Sequence, residues 1–273
     1  MGEKRFAGKV AIVTGGSLGI GRSTVLQLAA EGAHVVACAR RKAKLDELGE
    51  RVRDVGGSFA GAELDIADID GFAQLIEDTA AEHGRLDVLV NNAPSVVGGM
   101  ILEQTIEQWR ANFGVSVESV FIGVQAALKI MQPQRSGSII NVSSVSSLRA
   151  GMAAGAYSAA KAALNQFSMC AAMEAAPHNV RVNVVAPGAV KTHGFDASTG
   201  RNDAMEQGIA QSIPMLRIGL PEEMAEAICF LASDAASFIT GVVLPVDGGK
   251  TPQLPIPNWD LTKLDNQSIE RGQ

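Results

Sequence analysis

The chain has 273 residues, of which 47% are apolar and 19% charged, and its formal net charge is -6. That balance excludes a disordered polyelectrolyte and leaves ample sequence to bury a core. A pI near 5.3, with no run of like charges, argues against nucleic acid or an anionic membrane as partner.

In chain order, short apolar runs alternate with longer helical patterns. Strands are expected at 9–15, 34–39, 58–65, 86–92, 138–144, 180–188 and 242–248. Nearly continuous apolar runs of this kind suit parallel strands covered on both faces. Helices are expected at 19–31, 42–54, 68–83, 103–132, 156–175 and 221–232, the last opened by Pro221 and two glutamates. The alternation predicts an α/β fold: a Rossmann-like, doubly wound parallel sheet of about seven strands with helices on both faces. One domain over 1–249 is expected. The 250–273 extension, with Pro252, Pro255, Pro257 and Trp259, then packs on that domain or on a neighbouring subunit, or is disordered. The stretch 191–220 has little strand signal and follows a strand's C-terminal end, where open α/β sheets bind ligands.

Cys38, Cys170 and Cys229 are scattered and suit reduced thiols, and no Cys/His spacing suggests a metal. The N-terminal residues lack a signal peptide's apolar stretch, and no segment has the roughly 20 apolar residues of a membrane span. A soluble cytoplasmic protein is expected.

The first strand runs into Thr14-Gly15-Gly16-Ser17-Leu18-Gly19-Ile20-Gly21 and then directly into a helix. Glycines allow a sharp turn and close approach of a ligand, and the helix N-terminus offers free N–H groups with a positive dipole end. After the first strand of a parallel α/β pattern, this reads as a dinucleotide pyrophosphate site. The second strand ends Cys38-Ala39-Arg40-Arg41, where an NAD site presents a carboxylate to the ribose. Cations in its place favour the 2′-phosphate, so NADP(H) is favoured over NAD(H).

The single tyrosine, Tyr157, stands four residues before Lys161 in a helical pattern, which puts phenol and ammonium on one face. A nearby cation can lower a phenol's pKa of about 10 by roughly 1–3 units, toward the range useful for proton transfer.

With these features together, the chain resembles the short-chain dehydrogenase/reductase family in its single-domain form, from Lys9 to about Gly249. TGGSLGIG matches the family's TGxxxGxG, and Asn91-Asn92-Ala93 matches most of its NNAG signature. Asn112 matches the helix asparagine that helps hold a proton-relay water. Ser144, thirteen residues before Tyr157, matches the serine that bonds the substrate oxygen, with Ser143 as the competing assignment. The resemblance implies catalysis by Asn112, Ser144, Tyr157 and Lys161. Cofactor contacts are implied at Gly15, Ser17, Leu18, Gly19, Ile20, Arg40, Arg41, Asp65, Ile66, Asn91, Ala93, Pro187, Gly188, Val190 and Thr192, besides Tyr157 and Lys161.

One departure is that Pro94 stands where the signature has glycine, which alters the pocket floor without removing a proton-transfer group. Candidate pocket residues are Pro94, Val96, Ser144, Val145, Met152, His193 and Phe195. The expected reaction is interconversion of a small-molecule ketone and a secondary alcohol. Related enoyl reductases separate the tyrosine and lysine by six residues, against three here. Reduction of a 3-oxoacyl chain on a carrier protein is the alternative, with Lys129 and Arg135 available to an acidic carrier. A non-catalytic NADP-binding sensor or scaffold is the alternative of another class. Similar proteins are mostly tetramers and some are dimers, so a homotetramer using the helices near 103–132 and 156–175 is expected.

Overall fold

In the computed structural model, which describes residues 4–253, the first half of the chain alternates strand and helix. It runs β1 (Val10–Thr14), α1 (Gly19–Ala30), β2 (His34–Ala39), α2 (Lys42–Asp54), β3 (Ser58–Glu63), α3 (Ile69–His83) and β4 (Val88–Asn91). The second half continues α4 (Ile106–Phe113), α5 (Ser119–Gln134), β5 (Gly137–Val142), α6 (Gly155–Ala175) and β6 (Val180–Pro187). It then passes through α7 (His193–Thr199), α8 (Asp203–Gln211), α9 (Pro221–Ala232) and β7 (Val243–Val246).

All seven strands pair in parallel in one sheet of order β3-β2-β1-β4-β5-β6-β7. Side chains alternate across a strand, so β1 sends Ala11 and Val13 to one face and Ile12 to the other. On one face they meet Val25, Leu28 and Ile228 from α1 and α9. On the other they meet Phe72, Val124 and Leu164 from α3, α5 and α6. The central strands β1 and β4 are wholly buried, whereas β3 at the sheet edge is largely exposed. The order reverses between β1 and β4, which opens a crevice beyond their carboxyl ends.

Three expectations change. The helix expected over 103–132 begins at Ile106, where Thr105 and Gln108 form a capping box, and is interrupted by a π-helical turn at Gly114–Glu118. The stretch 191–220 holds the short helices α7 and α8, capped by the side chains of Thr192 and Asn202. Such short helices lack the apolar repeat that reveals longer ones. Finally, the helical stretch Ile106–Gln134 is long and apolar enough to cross a membrane by length and composition, contrary to the expectation. Its apolarity is partly a core face: Val120, Val124, Ala127 and Met131 are buried in the domain. The extension beyond Gln253 lies outside the described residues.

Candidate active site

The crevice is built first by backbone. Gly15 and Gly19 have φ of +63° and +52°, a left-handed conformation that favours glycine. A Cβ on Gly15 would stand 2.8 Å from Cα of Ala93, so the loop after β1 and the loop after β4 touch backbone to backbone. Thr14 fastens them, its Oγ1 accepting from the N–H of Asn92 at 2.9 Å and of Ala93 at 3.1 Å. The Asn92 amide donates back to the Thr14 carbonyl at 3.0 Å. Leu18 starts α1 without a side-chain cap and no acidic residue occupies the first turn. Uncapped N–H groups, a positive helix end and a floor with no Cβ fit a dinucleotide pyrophosphate.

Around this turn, Ser17 is buried, with Leu18 and Ile20 half-buried beside it. Thr192 comes from the far end of β6, yet its Cγ2 lies 3.2 Å from where a Gly19 Cβ would stand. The segment between is fixed by Gly188 N–H donating to Val246 at 3.0 Å and by the bridge Val190 to Gly219. Pro187 and Gly188 therefore border the same crevice from the β6 side. At its other end, Arg40 and Arg41 are exposed just past β2. Arg40 makes only a long contact of 3.9 Å with the exposed Asp65, and Ile66 turns inward to the core. The Asn91 side chain donates to Asn141 at 2.8 Å inside the sheet.

The tyrosine and lysine meet as their spacing predicts, with Lys161 Nζ 5.9 Å from the Tyr157 ring centre. Lys161 is buried and donates to the Val142 carbonyl at 2.9 Å, which joins α6 to the end of β5. Burial pulls its pKa down to about 8. Burial also raises the Tyr157 pKa above the usual phenol value, and a hydrogen bond with the Ser144 side chain pulls it partly back. The phenol is thus raised where its spacing from the lysine led to the expectation of a lowered one, because desolvation acts against the charged form of both groups. At neutral pH Tyr157 is a protonated phenol.

The two serines separate cleanly. Ser143 is buried and donates to the Lys161 carbonyl at 3.3 Å, whereas Ser144 reaches the Tyr157 hydroxyl. Asn112 is fully buried, its amide bonded to both N–H and carbonyl of Val97, at 3.2 Å and 3.0 Å, and to Gln108. Its amide therefore anchors the loop after β4 and has no free donor for a water. The π-helical turn that follows is an irregularity of the kind that often marks functional sites.

The candidate pocket residues scatter more. Val145 adjoins Ser144, and Pro94 follows Ala93 at the crevice floor but is exposed. Val96 and Met152 are 65% and 87% exposed, on two loops joined by the Gly99 N–H donating to Ala153 at 2.8 Å. His193 is exposed, while Phe195 is half-buried with Lys191 Nζ 5.5 Å over its ring. Thr14 and Asn92, which hold the two loops together, stand in the two motifs read from the sequence but were given no role there. Two polar residues at the ends of otherwise apolar strands were the available signal. Among the described residues, no cluster of three or more His, Cys, Asp or Glu is placed to hold a metal.

Comparison with known proteins agrees with this geometry. A family model described as enoyl-(acyl carrier protein) reductase matches residues 15–251. The 3-oxoacyl-[acyl-carrier-protein] reductase FabG of Thermotoga maritima is 38% identical over 245 residues, or 90% of this chain and 98% of the relative. The corresponding reductase of Synechocystis is 40% identical over 243 residues, or 88% of this chain and 96% of its own. A crystal structure of a short-chain dehydrogenase/reductase from Burkholderia xenovorans superposes with TM-score 0.88 at 36% identity, covering 92% of this chain and 99% of the other. YwfH, an NADPH dependent reductase involved in bacilysin biosynthesis, gives 0.86 at 30% identity over 90% and 99%. Dinucleotide turn, tyrosine–lysine pair and sheet order thus coincide with whole-length similarity, and the chain belongs to the short-chain dehydrogenase/reductase family, as an NAD(P)-dependent oxidoreductase of the alcohol/carbonyl couple.

Proposed function

We propose that the chain reduces an apolar ketone to a secondary alcohol, and runs the reverse reaction, with NADP(H) preferred and Tyr157 as proton donor. The observation that carries this reading is the half-buried phenol of Tyr157, with the Ser144 side chain against it and the buried Lys161 behind it. When bound, a nicotinamide dinucleotide supplies or accepts the hydride at the substrate carbon. The Tyr157 hydroxyl gives its proton to the carbonyl oxygen, and the Ser144 hydroxyl donates to that oxygen as negative charge builds on it. Lys161, mostly protonated at pH 7, supports a phenolate left after transfer. Asn112 keeps the loop after β4 in place through Val97. The residues proposed to hold the dinucleotide are those lining the crevice from Gly15 to Ile20 and from Pro187 to Thr192. Arg40 and Arg41 offer the 2′-phosphate two exposed cations.

Val96, Ile101, Leu102 and Met152 present exposed apolar surface on the two loops beside Tyr157, and this supports an apolar substrate. The carrier-borne reading is favoured by the names of the relatives. Lys129 and Arg135 give it little within one chain: they lie at the C-terminal end of α5, next to the start of β5, and so at the opposite end of the strands from Tyr157. A panel of alicyclic, aromatic and steroid-like ketones, together with a 3-oxoacyl thioester on carrier protein, should be assayed by nicotinamide absorbance. Turnover of free ketones with NADPH at least about 10-fold above NADH is expected, and Arg40→Asp/Arg41→Asp should abolish that preference. Turnover of the carrier thioester alone would replace this reading with the other.

A homotetramer is also proposed. Trp109 stacks on Phe113 at 4.9 Å and Phe121 meets Phe167 edge-on at 5.8 Å, along an outer face of α4, α5 and α6 where Met173 is also exposed. A solution mass near four times 28.4 kDa should be measured by light scattering, and a monomer would refute it. A cytoplasmic location belongs to the same reading, supported by the free thiols of Cys38, Cys170 and Cys229.

A further inference from the structure

Asn165 lies on α6 one turn beyond Lys161 and two beyond Tyr157, on the same side of the helix. It is buried, and its Nδ2 donates to Ser147 Oγ at 2.8 Å. Ser147 in turn donates its hydroxyl proton to the carbonyl oxygen of Ser144. Because that proton is already committed, the Asn165 atom facing Ser147 must be the donor nitrogen. The Asn165 Oδ1 is buried with no hydrogen-bond partner. An apolar side chain would suit the packing better, so the donor is what the position needs.

We propose that Asn165 and Ser147 form a positioning relay that sets the Ser144 hydroxyl against Tyr157 and thereby tunes proton transfer, although neither touches the reacting atoms. The inference rests on the catalytic reading of Ser144 and Tyr157 given above. Ser144 is extended, with φ -163° and ψ 154°, and opens the short helical turn Val145–Ser147. Its Oγ accepts from the Ser146 N–H at 3.1 Å, which leaves the hydroxyl proton free to point at a substrate oxygen. Its carbonyl is held by Ser147, and Ser147 by Asn165, so the turn is tied to the helix that carries Tyr157 and Lys161. Without the tie the turn can pivot and the Ser144 hydroxyl loses its aim. Ser144 is also the group that draws the Tyr157 pKa down against burial, so a misplaced Ser144 lets that pKa rise. The groups recorded against the phenol are Ser144 from the end of β5 and Lys161 from its own helix, and both are kept in the variants below.

The test compares Asn165→Leu, Ser147→Ala and the double variant with Ser144→Ala as reference. The readouts are the pH profile of alcohol oxidation, kcat, NADP(H) affinity and Tm. Each single variant should lower kcat about 10-fold, a size fitting misalignment of less than an ångström. Each should also move the oxidation midpoint to higher pH, with cofactor affinity unchanged. The double variant should be no worse than the poorer single, because both break one chain. An unmoved midpoint in either single variant, or multiplicative losses in the double, would overturn the relay. A lower Tm with an unmoved midpoint would mean a merely structural role and would overturn it too. Should Asn165→Leu fail to fold, Ser147→Ala decides alone, since it removes one hydroxyl from a half-buried turn. If Ser144→Ala keeps normal turnover and profile, the catalytic reading itself fails, whatever the relay variants do.

Discussion

Tyr157→Phe should bind NADP(H) as the parent does and lose nearly all turnover, by roughly 10²- to 10⁴-fold, the usual contribution of a placed acid–base group. The substitution removes one oxygen from a half-buried ring and keeps its packing. The chain contains no second tyrosine to stand in for it. Affinity read by fluorescence titration separates the two effects, and a variant with near-parental kcat would end the assignment. The pH dependence follows from the environment of the phenol. Burial raises its pKa, so the protonated form that reduction needs persists through neutral pH and is lost only on the alkaline side. Oxidation needs the phenolate and should therefore rise with pH where reduction falls. Lys161, pulled down to about 8, loses its charge before the phenol ionises and so limits how far oxidation can climb.

Gly21→Ala should weaken NADP(H) binding by about 100-fold, equivalent to about 2.7 kcal/mol, and lower the Tm as well. A Cβ at that position would stand 2.4 Å from the Gly15 carbonyl oxygen and 2.5 Å from Asn92 Nδ2. Neither can step aside cheaply. Gly15 is held in a left-handed turn against Ala93, and the Asn92 amide is bonded to the Thr14 and Gly15 carbonyls. The added methyl group must therefore push the turn out of the crevice. Gly208→Ala is the matched control: it lies in α8, meets nothing within 4 Å, and should gain helix stability by up to about 1 kcal/mol. Calorimetric titration of both variants checks the contrast, and equal affinities would show that Gly21 is not tightly confined.

Much of the site was readable before the fold. The Tyr157 to Lys161 spacing put both side chains on one face of a helix, and they meet there because helical periodicity is a local property. The same holds for the glycine turn, whose positive φ at Gly15 and Gly19 is a demand on backbone that only composition at those positions could meet. Ser143 and Ser144 illustrate the limit. Neighbours in a strand point to opposite faces, and which face meets the tyrosine depends on how β5 lies against α6. The Asn112 side chain holds Val97, a partner fifteen residues away that no local pattern reveals.

By itself the amino-acid sequence determined the order of the elements, the parallel sheet and the single tyrosine available as proton donor. These follow from hydrophobic periodicity and from residue types that have few other uses. Only the tertiary structure decided the state of that donor. Burial, which no spacing encodes, pulls Lys161 down and raises the Tyr157 phenol, where the spacing with Lys161 led to the expectation of a lowered one. It also brought Thr14 to Asn92 and Asn165 to Ser147, because hydrogen bonds between distant segments exist only once the sheet has brought the segments together.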